Sequence, residues 1–260
     1  MIAAIIQARM GSTRLPGKVL MNLAGKPVLW HIITRLQRAS RVDSICVATT
    51  IEKEDTCIEE ASRMWNIPVY RGSRDDVISR YYECAKHIGM QKGREDYIVR
   101  ITADCPLIDP AIVDILVEKA IHGHYDYISN TEPPTFPDGL DVEVFRFDVL
   151  ETAVKEARLN SEREHVTPFM IKNESFSKYN FRHTTDLSHI RLTLDTYEDY
   201  QMIGLIYDAL YHEDEIILLN DILKLLNSRP DILAFNSQQK RNEGYEKSLC
   251  QDRIIHDEVE

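Results

Sequence analysis

The chain has 260 residues, of which 43% are hydrophobic, enough to bury the core of one large domain or of one domain with a small appendage. Acidic residues outnumber basic ones by 42 to 31, which gives a net charge of −11 and an isoelectric point near 5.3. This balance argues against DNA, RNA or an anionic membrane as the main partner, because each of these is itself densely negative.

Targeting signals and cysteines lead us to expect a cytoplasmic protein. The opening apolar run is too short for the core of a signal peptide, and no later run approaches the roughly 18 residues of a membrane helix. The five cysteines are scattered and form no C-x-x-C pair: Cys46, Cys57, Cys84, Cys105 and Cys250. This pattern favours reduced thiols over a disulfide framework or a zinc site.

The first predicted element is a buried strand at residues 2–6, a short uninterrupted apolar run. The loop that follows contains three cations, two glycines and two hydroxyl residues: Arg9, Arg14, Lys18, Gly11, Gly17, Ser12 and Thr13. Glycines let backbone amides approach an anion, hydroxyls donate hydrogen bonds, and cations neutralise charge. At the carboxyl end of a strand, this composition predicts a polyphosphate site.

Two well-known phosphate loops do not fit the spacing of this loop. The fingerprint G-x-G-x-x-G needs three glycines, and the loop has two. The P-loop G-x-x-x-x-G-K-[ST] needs a hydroxyl residue after its lysine, where this chain has Val19. A surface loop with solvated cations is the remaining alternative. Charge distribution favours the anion site, because residues 1–42 contain seven cations and no acidic residue.

Strands and helices alternate over the first half of the chain. Further strands are predicted at residues 44–49, 67–70 and 96–101, and helices at residues 26–39, 54–65, 76–90 and 110–121. Such alternation indicates a mostly parallel sheet with helices on both faces. The first half of the chain therefore predicts an α/β fold.

This alternation ends near Tyr127. Residues 131–139 contain three prolines and cannot form a helix or a central strand. Beyond them, strands are predicted at residues 140–147, 178–183 and 190–194, and helices at residues 149–157, from Ser161 with a Ser161–Glu164 capping box, and from 197 to 234. The expected domain spans residues 1–238, and the polar residues 239–260 form a C-terminal arm.

The opening strand and the loop Q-A-R-M-G-S-T-R-L-P-G-K resemble the start of the sugar-activating cytidylyltransferases. These are the CMP-KDO and CMP-sialic acid synthetases, and the likeness is strongest to their relatives in spore-coat and surface polysaccharide biosynthesis. The matching residues are Arg9, Ser12, Thr13, Arg14, Pro16, Gly17 and Lys18. The resemblance covers roughly residues 1–235 and implies a Rossmann-like nucleotidyltransferase fold.

The family resemblance implies a reaction and a set of nucleotide contacts. CMP would pass from CTP to a sugar or sugar-like acceptor, pyrophosphate would leave, and Mg²⁺ would be the cofactor. The nucleotide would lie on Ala8, Arg9, Gly11, Ser12 and Thr13. Arg14 and Lys18 would act in catalysis by neutralising the β and γ phosphates.

Two aspartates, Asp104 and Asp195, are the candidate magnesium ligands. Asp104 is also a candidate catalytic residue. Asp104 follows a predicted strand, and Asp109 is the natural cap of the next helix, so Asp104 is free to point outward. The matching aspartate of the resembling family binds magnesium. Asp195 also follows a predicted strand, and the family places a metal-binding acid there; a plain helix cap is its alternative. Sialic acid synthetases carry a second aspartate where this chain has Thr193.

The remaining candidates concern the base and the acceptor. Arg71 and Ser73 follow the third strand and could reach a pyrimidine edge, although an arginine there could equally contact phosphate. The resemblance assigns the acceptor site to residues 130–185, with Asp138, Asp141, Glu143, Arg163 and His165 as candidates. A helical histidine, however, is more often packed or exposed than catalytic.

The same segment, residues 130–185, is the expected dimerisation element of a homodimer. Its short strands are hard to place inside a simple doubly wound sheet, and unpaired strands need a cover.

Two other functions remain open at this point. A glycosyltransferase can use a similar sheet with a ready-made nucleotide sugar, but its metal site usually comes from a D-x-D motif, and none follows a strand here. A non-catalytic nucleotide-binding protein would bind CTP and release no pyrophosphate.

Overall fold

The computed structural model of the chain describes residues 1–254. Its strands are β1 (Ile2–Gln7), β2 (Asn22–Leu23), β3 (Lys26–Pro27), β4 (Ser44–Thr50), β5 (Val69–Gly72), β6 (Tyr97–Thr102), β7 (Tyr127–Ser129), β8 (Glu143–Arg146) and β9 (Lys178–Asn180). Its α-helices are α1 (Val28–Leu36), α2 (Thr56–Met64), α3 (Val77–His87), α4 (Pro110–Gly123), α5 (Phe147–Glu156), α6 (Asn160–His165), α7 (Pro168–Lys172), α8 (Tyr197–Leu210), α9 (Leu219–Ser228) and α10 (Glu243–Cys250). Residues 255–260 of the expected C-terminal arm lie outside the described residues.

Seven strands form one sheet in the order β5-β4-β1-β6-β8-β7-β9. β5, β4, β1 and β6 run parallel, β8 is antiparallel to β6 and β7, and β9 is parallel to β7. The predicted mostly parallel sheet with helices on both faces is confirmed. The carboxyl ends of β1, β4 and β6 meet at one edge, which is where ligands bind in such sheets.

β1 separates two apolar cores. Ala4 and Ile6 face the core formed with α1, α4 and α8, and Ala3 and Ile5 face the core formed with α3 and α5. All four side chains are fully buried. Because successive side chains point to opposite faces of a strand, a central parallel strand must be apolar at every position. The first loop is therefore anchored to the middle of the fold.

Residues 190–194 do not form the predicted strand. Arg191 makes a single bridge with Asp138, and the segment runs beside the loop that follows β7 rather than along another strand. Backbone hydrogen bonds still fix the segment, because Leu192 donates to Asp138 and Leu194 donates to the carbonyl of Asp104. The alternating sequence correctly predicted an extended backbone for residues 190–194. The prediction that this backbone pairs with another strand is wrong.

The capping box predicted at Ser161 is also wrong. Helix α6 begins at Asn160, and the carboxylate of Glu162 accepts a hydrogen bond from the backbone amide of Leu159. The hydroxyl of Ser161 donates instead to Asp252, at 2.7 Å. The side chain that was predicted to cap the helix therefore binds Asp252, which lies 91 residues further along the chain.

The segment 130–185 contributes strands to the main sheet. β8 pairs with β6, and β9 pairs with β7 at the outer edge. The expectation that its strands lack partners within the chain is wrong, and the dimer itself stays a prediction. Within residues 1–254, no helix has both the length and the apolar character that crossing a bilayer requires.

Candidate active site

A cavity of about 890 Å³ opens at the carboxyl edge of the sheet. Its walls come from the ends of β1 and β6, the loop after β1, and three later parts of the chain, at residues 131–143, 164–172 and 191–195. Residues 240–251 of the C-terminal segment form a further wall. A cavity of this size can hold a nucleotide together with a second substrate.

Lys18 lies between two aspartates at this cavity. Its Nζ is 2.9 Å from Oδ2 of Asp104 and 2.8 Å from Oδ1 of Asp195. Asp104 follows β6, whereas Asp195 lies 91 residues further along the chain. The fold therefore brings together three of the residues that the sequence singled out.

The loop after β1 is folded so that Lys18 can reach this position. Gly17 has φ of 74°, in the left-handed region that glycine tolerates best, and a short 3-10 turn begins at Lys18. The carbonyl of Met10 accepts hydrogen bonds from the amides of Ser12 and Gly17, and the carboxylate of Asp55 accepts one from the amide of Met10. Lys18 is only 8% exposed as a result.

Arg191 fixes Asp195 from the other side. Its guanidinium donates to Asp195 at 3.0 Å, to Asp138 at 2.7 Å and to the fully buried Asp199 at 2.9 Å. The hydroxyl of Thr193 donates to the carbonyl of Asp104. The position of Asp195 is therefore set by side-chain hydrogen bonds, without a strand.

Lys18 and Asp104 stabilise each other's charged form. Although burial opposes it, the two neighbouring carboxylates raise the pKa of Lys18. Although burial opposes ionisation, the ammonium of Lys18 and hydrogen bonds, including one from Thr102, lower the pKa of Asp104 to about 2. Lys18 is thus cationic and Asp104 anionic at neutral pH.

The cluster presents carboxylate oxygens of the kind that bind a divalent cation such as Mg²⁺. Mg²⁺ prefers oxygen ligands and is usually held by one or two carboxylates together with substrate phosphates. Asp104 and Asp195 already converge on a single cationic group. Within residues 1–254, no group of three or more His, Cys, Asp or Glu side chains is arranged to hold a metal ion. A bound ion would therefore need substrate oxygens to complete its ligands.

Most of the sequence-predicted site residues line this cavity. They are Ala8, Arg9, Ser12, Thr13, Arg14, Lys18, Asp104, Asp138, Asp141, Glu143, His165 and Asp195. Gly11, Arg71, Ser73 and Arg163 are not among the lining residues.

Three of these four residues have structural partners instead. The hydroxyl of Ser73 accepts a hydrogen bond from the backbone amide of Asp76 at 3.0 Å. Arg71 donates to Glu59 at 2.8 Å and to the backbone carbonyls of Thr50 and Glu52. Arg163 donates to Asp76 at 2.6 Å. Contact with a base through Arg71 stays a prediction, and it would require these hydrogen bonds to break.

Two parts of the cavity were missed by sequence reasoning. Arg80, in the first turns of α3, is 2% exposed and lines the cavity. Residues 240–251 cover its mouth, where Arg241 donates to Asp141 at 2.6 Å and Glu243 pairs with Arg14 at 3.2 Å. The polar composition of this segment indicated only a C-terminal arm, since sequence does not show which surface a polar segment will cover.

Comparison with known proteins identifies the family of the chain. Residues 3–253 match the family model described as cytidylyltransferase. The chain belongs to the cytidylyltransferase family. The resemblance seen in the opening loop therefore extends over almost the whole chain.

Three proteins illustrate the relationship within and around this family. The spore coat polysaccharide biosynthesis protein SpsF of Bacillus subtilis is 29% identical over 240 residues, covering 88% of this chain and 95% of that protein. A solved cytidylyltransferase structure from Leptospira borgpetersenii is 33% identical, with a TM-score of 0.84, and covers 92% of this chain and 98% of its own. CMP:2-keto-3-deoxy-manno-octonic acid synthetase complexed with CTP is 18% identical, covers 80% of this chain and 99% of its own, and shares the fold with a TM-score of 0.62.

Proposed function

We propose that this cytidylyltransferase transfers CMP from CTP to a sugar-type acceptor and releases pyrophosphate, in the biosynthesis of a surface polysaccharide. The observation that carries the proposal is the cluster of Lys18 with Asp104 and Asp195 at the cavity. The family supports cytidylyl transfer. The CTP complex of the synthetase and the name of the spore-coat relative support the nucleotide and the pathway class.

In the proposed reaction, an oxygen of the acceptor attacks the α-phosphorus of CTP. A new oxygen–phosphorus bond forms and the bond between the α-phosphorus and the bridging oxygen breaks. A hydroxyl acceptor would pass its proton to water, whereas an ionised phosphate or phosphonate oxygen has none to lose. Negative charge grows on the departing pyrophosphate, so fixed cations nearby lower the barrier. Arg14 and Lys18 provide these cations, and Ser12 and Thr13 line the cavity beside them.

Asp104 and Asp195 would hold Mg²⁺ in this reaction. The ion would supply Lewis-acid polarisation and charge neutralisation at the phosphates. Lys18 makes ion pairs with both carboxylates, and Arg191 keeps Asp195 aimed at the cavity. Asp104 and Asp195 are therefore held in position before the nucleotide or the ion binds.

Acceptor binding is proposed for the side of the cavity lined by Asp138, Asp141, Glu143 and His165. Glu143 accepts a hydrogen bond from the hydroxyl of Tyr127 at 2.6 Å, and Arg100 pairs with it. Carboxylates fixed in this way suit the hydroxyl groups of a sugar.

A pyrophosphate-release assay with CTP, Mg²⁺ and a panel of acceptors tests the function. The panel should contain keto-acid sugars, sugar phosphates and phosphonates. We expect pyrophosphate in a one-to-one ratio with a CMP-linked product for one acceptor class, and its loss in Lys18→Ala. Release of a nucleoside diphosphate from a nucleotide sugar would indicate a glycosyltransferase instead. Binding of CTP without pyrophosphate from any acceptor would indicate a nucleotide sensor.

A further inference from the structure

Asp199 is a buried carboxylate that lies next to the proposed metal ligand Asp195. None of its surface is exposed, and it accepts five hydrogen bonds. Two of them come from the guanidinium of Arg191, and two come from the backbone amides of Asp195 and Thr196, at 3.0 Å each. The fifth comes from the side-chain amide of Asn236, at 2.9 Å.

These hydrogen bonds are more than the cap of a helix needs. Thr196 and Asp199 form the capping box at the start of α8, in which the carboxylate of Asp199 accepts from the amide of Thr196. The hydrogen bonds from Arg191, Asn236 and the amide of Asp195 have no part in this cap. Arg191 in turn donates to the carboxylate of Asp195 at 3.0 Å. Asp199 therefore fixes the metal ligand through its backbone directly and through its side chain by way of Arg191.

Asn236 holds Asp199 and Arg191 together. Only 4% of its surface is exposed, and the two N–H bonds of its side chain have two different acceptors. Nδ2 donates to Oδ1 of Asp199 at 2.9 Å and to the backbone carbonyl of Arg191 at 3.1 Å. A primary amide carries two donors on one nitrogen, whereas a hydroxyl carries one and a carboxylate carries none. The geometry at position 236 therefore requires an amide.

The part of the chain that contains Asn236 contacts Arg191 at a second point. The backbone carbonyl of Lys240 accepts a hydrogen bond from Nη1 of Arg191 at 3.2 Å. Asn236 lies 37 residues beyond Asp199, so its contact is not a local feature of the loop before α8. The orientation of Asp195 therefore depends on the chain segment that leads into the C-terminal wall of the cavity.

We propose that Asn236 is a positioning residue for the magnesium site, an inference that rests on the proposed function. It orients Asp199 and Arg191, and these two residues hold the carboxylate of Asp195 toward Lys18 and the cavity. Asn236 is not among the lining residues of the cavity, so it acts on a bound ion only through Asp195. Residues that orient metal ligands from behind are important for affinity, and their loss typically weakens metal binding by about 10-fold to 100-fold. Loss of Asn236 should weaken the contribution of the ion and leave the nucleotide contacts of the loop after β1 in place.

The test measures how much Mg²⁺ strengthens the binding of CTP. Calorimetry would give the Kd for CTP in EDTA and at saturating Mg²⁺, and the ratio of the two constants is the magnesium gain. We expect this gain to fall by about tenfold in Asn236→Ala and in Asn236→Ser, since neither side chain can donate to two acceptors. The Kd in EDTA should remain that of the wild type. Ile232→Val is the matched control: it shortens a buried side chain in the 3-10 turn Pro230–Ala234 just before Asn236, and it should lower the melting temperature without changing the gain.

An unchanged magnesium gain in the Asn236 variants would overturn the assignment. An equal rise of the Kd in EDTA and in Mg²⁺ would also overturn it, because Asn236 would then support the fold of the whole site. If Asn236→Ala does not fold, Asn236→Ser decides the question. A wild type whose CTP binding does not respond to Mg²⁺ would contradict the proposed magnesium site and this inference together. A gain that is lost in the variants, in a protein that releases no pyrophosphate with any acceptor, would support this inference and contradict the proposed function.

Discussion

Lys18 neutralises two carboxylates that would otherwise repel each other. Its Nζ lies within 3 Å of both Asp104 and Asp195, and both acids are less than one third exposed. Removing the ammonium leaves two neighbouring negative charges with less compensation. Lys18 is thus expected to contribute to folding as well as to catalysis.

Lys18→Ala should therefore lower the melting temperature by about 5 °C, and Mg²⁺ should restore part of the loss. The ion would replace the missing positive charge between the carboxylates, whereas in the wild type it must compete with Lys18. Thermal melts with and without Mg²⁺ measure both effects. Lys155→Ala, on the exposed face of α5, is the matched control. An equal response to Mg²⁺ in Lys18→Ala and the wild type would contradict the shared site.

Asp141 should give acceptor binding a pH dependence near neutrality. Burial raises the pKa of its carboxyl to about 7, although Arg241 opposes the change. The group is protonated below this pH and ionised above it, and only the ionised form accepts hydrogen bonds with both oxygens. The KM for the acceptor should therefore fall as pH rises through 7. Asp141→Asn should abolish this trend and the exposed Asp208→Asn should keep it; an unchanged trend in Asp141→Asn would refute the role.

At the residue scale, the sequence predicted those features that depend on the spacing of neighbouring residues, such as helix caps. Asp109 caps α4 as expected, accepting a hydrogen bond from the amide of Ala111 at 2.9 Å. The sequence also indicated Lys18, from the composition and charge of the loop after β1, and Asp104, because it lies just beyond a central strand. The pairing of Arg71 with Glu59 could not be predicted, since it depends on where Glu59 lies relative to β5.

The C-terminal segment, residues 240–251, covers the cavity through polar contacts. Glu243 pairs with Arg14, Arg241 pairs with Asp141, and the hydroxyl of Ser248 lies 2.9 Å from Nε2 of His165. Within α10 no residue is buried. The Arg14–Glu243 pair is open to solvent and stabilises weakly, so this part of the wall is held much less firmly than the sheet.

Glu243→Gln should strengthen nucleotide binding. The carboxylate of Glu243 competes with phosphate for Arg14, and an amide removes the competing charge. We expect the Kd for CTP to fall by about twofold to fivefold, which corresponds to an exposed ion pair. Calorimetry on this variant and on Glu246→Gln, an exposed position of the same helix, measures the effect. Weaker binding in Glu243→Gln would show that the residue supports the site.

At the element scale, the central strands were predictable because burial on both faces leaves a continuous apolar run. Residues 190–194 show where this reasoning fails. Their apolar side chains Ile190, Leu192 and Leu194 are buried, but the neighbour is a loop. Alternation reports burial of one side of an extended chain, and it does not report whether that chain finds a pairing strand.

For the whole molecule, we predict a homodimer formed through residues 130–185. β9 ends the sheet on this side, and one edge of its backbone has no partner strand within residues 1–254. Tyr179 on this strand is 37% exposed. Light scattering at micromolar concentration should give twice the chain mass, and Tyr179→Glu should shift it toward the monomer. Met64→Glu, at an exposed site on α2, is the control; a monomeric wild type would refute the prediction.

Asp104 and Asp195 lie 91 residues apart in the chain, and a shared Mg²⁺ would make them act as one unit. The decisive measurement is kcat/KM for pyrophosphate release at saturating Mg²⁺ in Asp104→Asn, Asp195→Asn and the double variant. Each single variant should lose at least about 100-fold, because each removes support from the same transition state. The double variant should be scarcely worse than the poorer single one. Losses that multiply, or nearly normal activity in Asp195→Asn, would contradict a shared magnesium site.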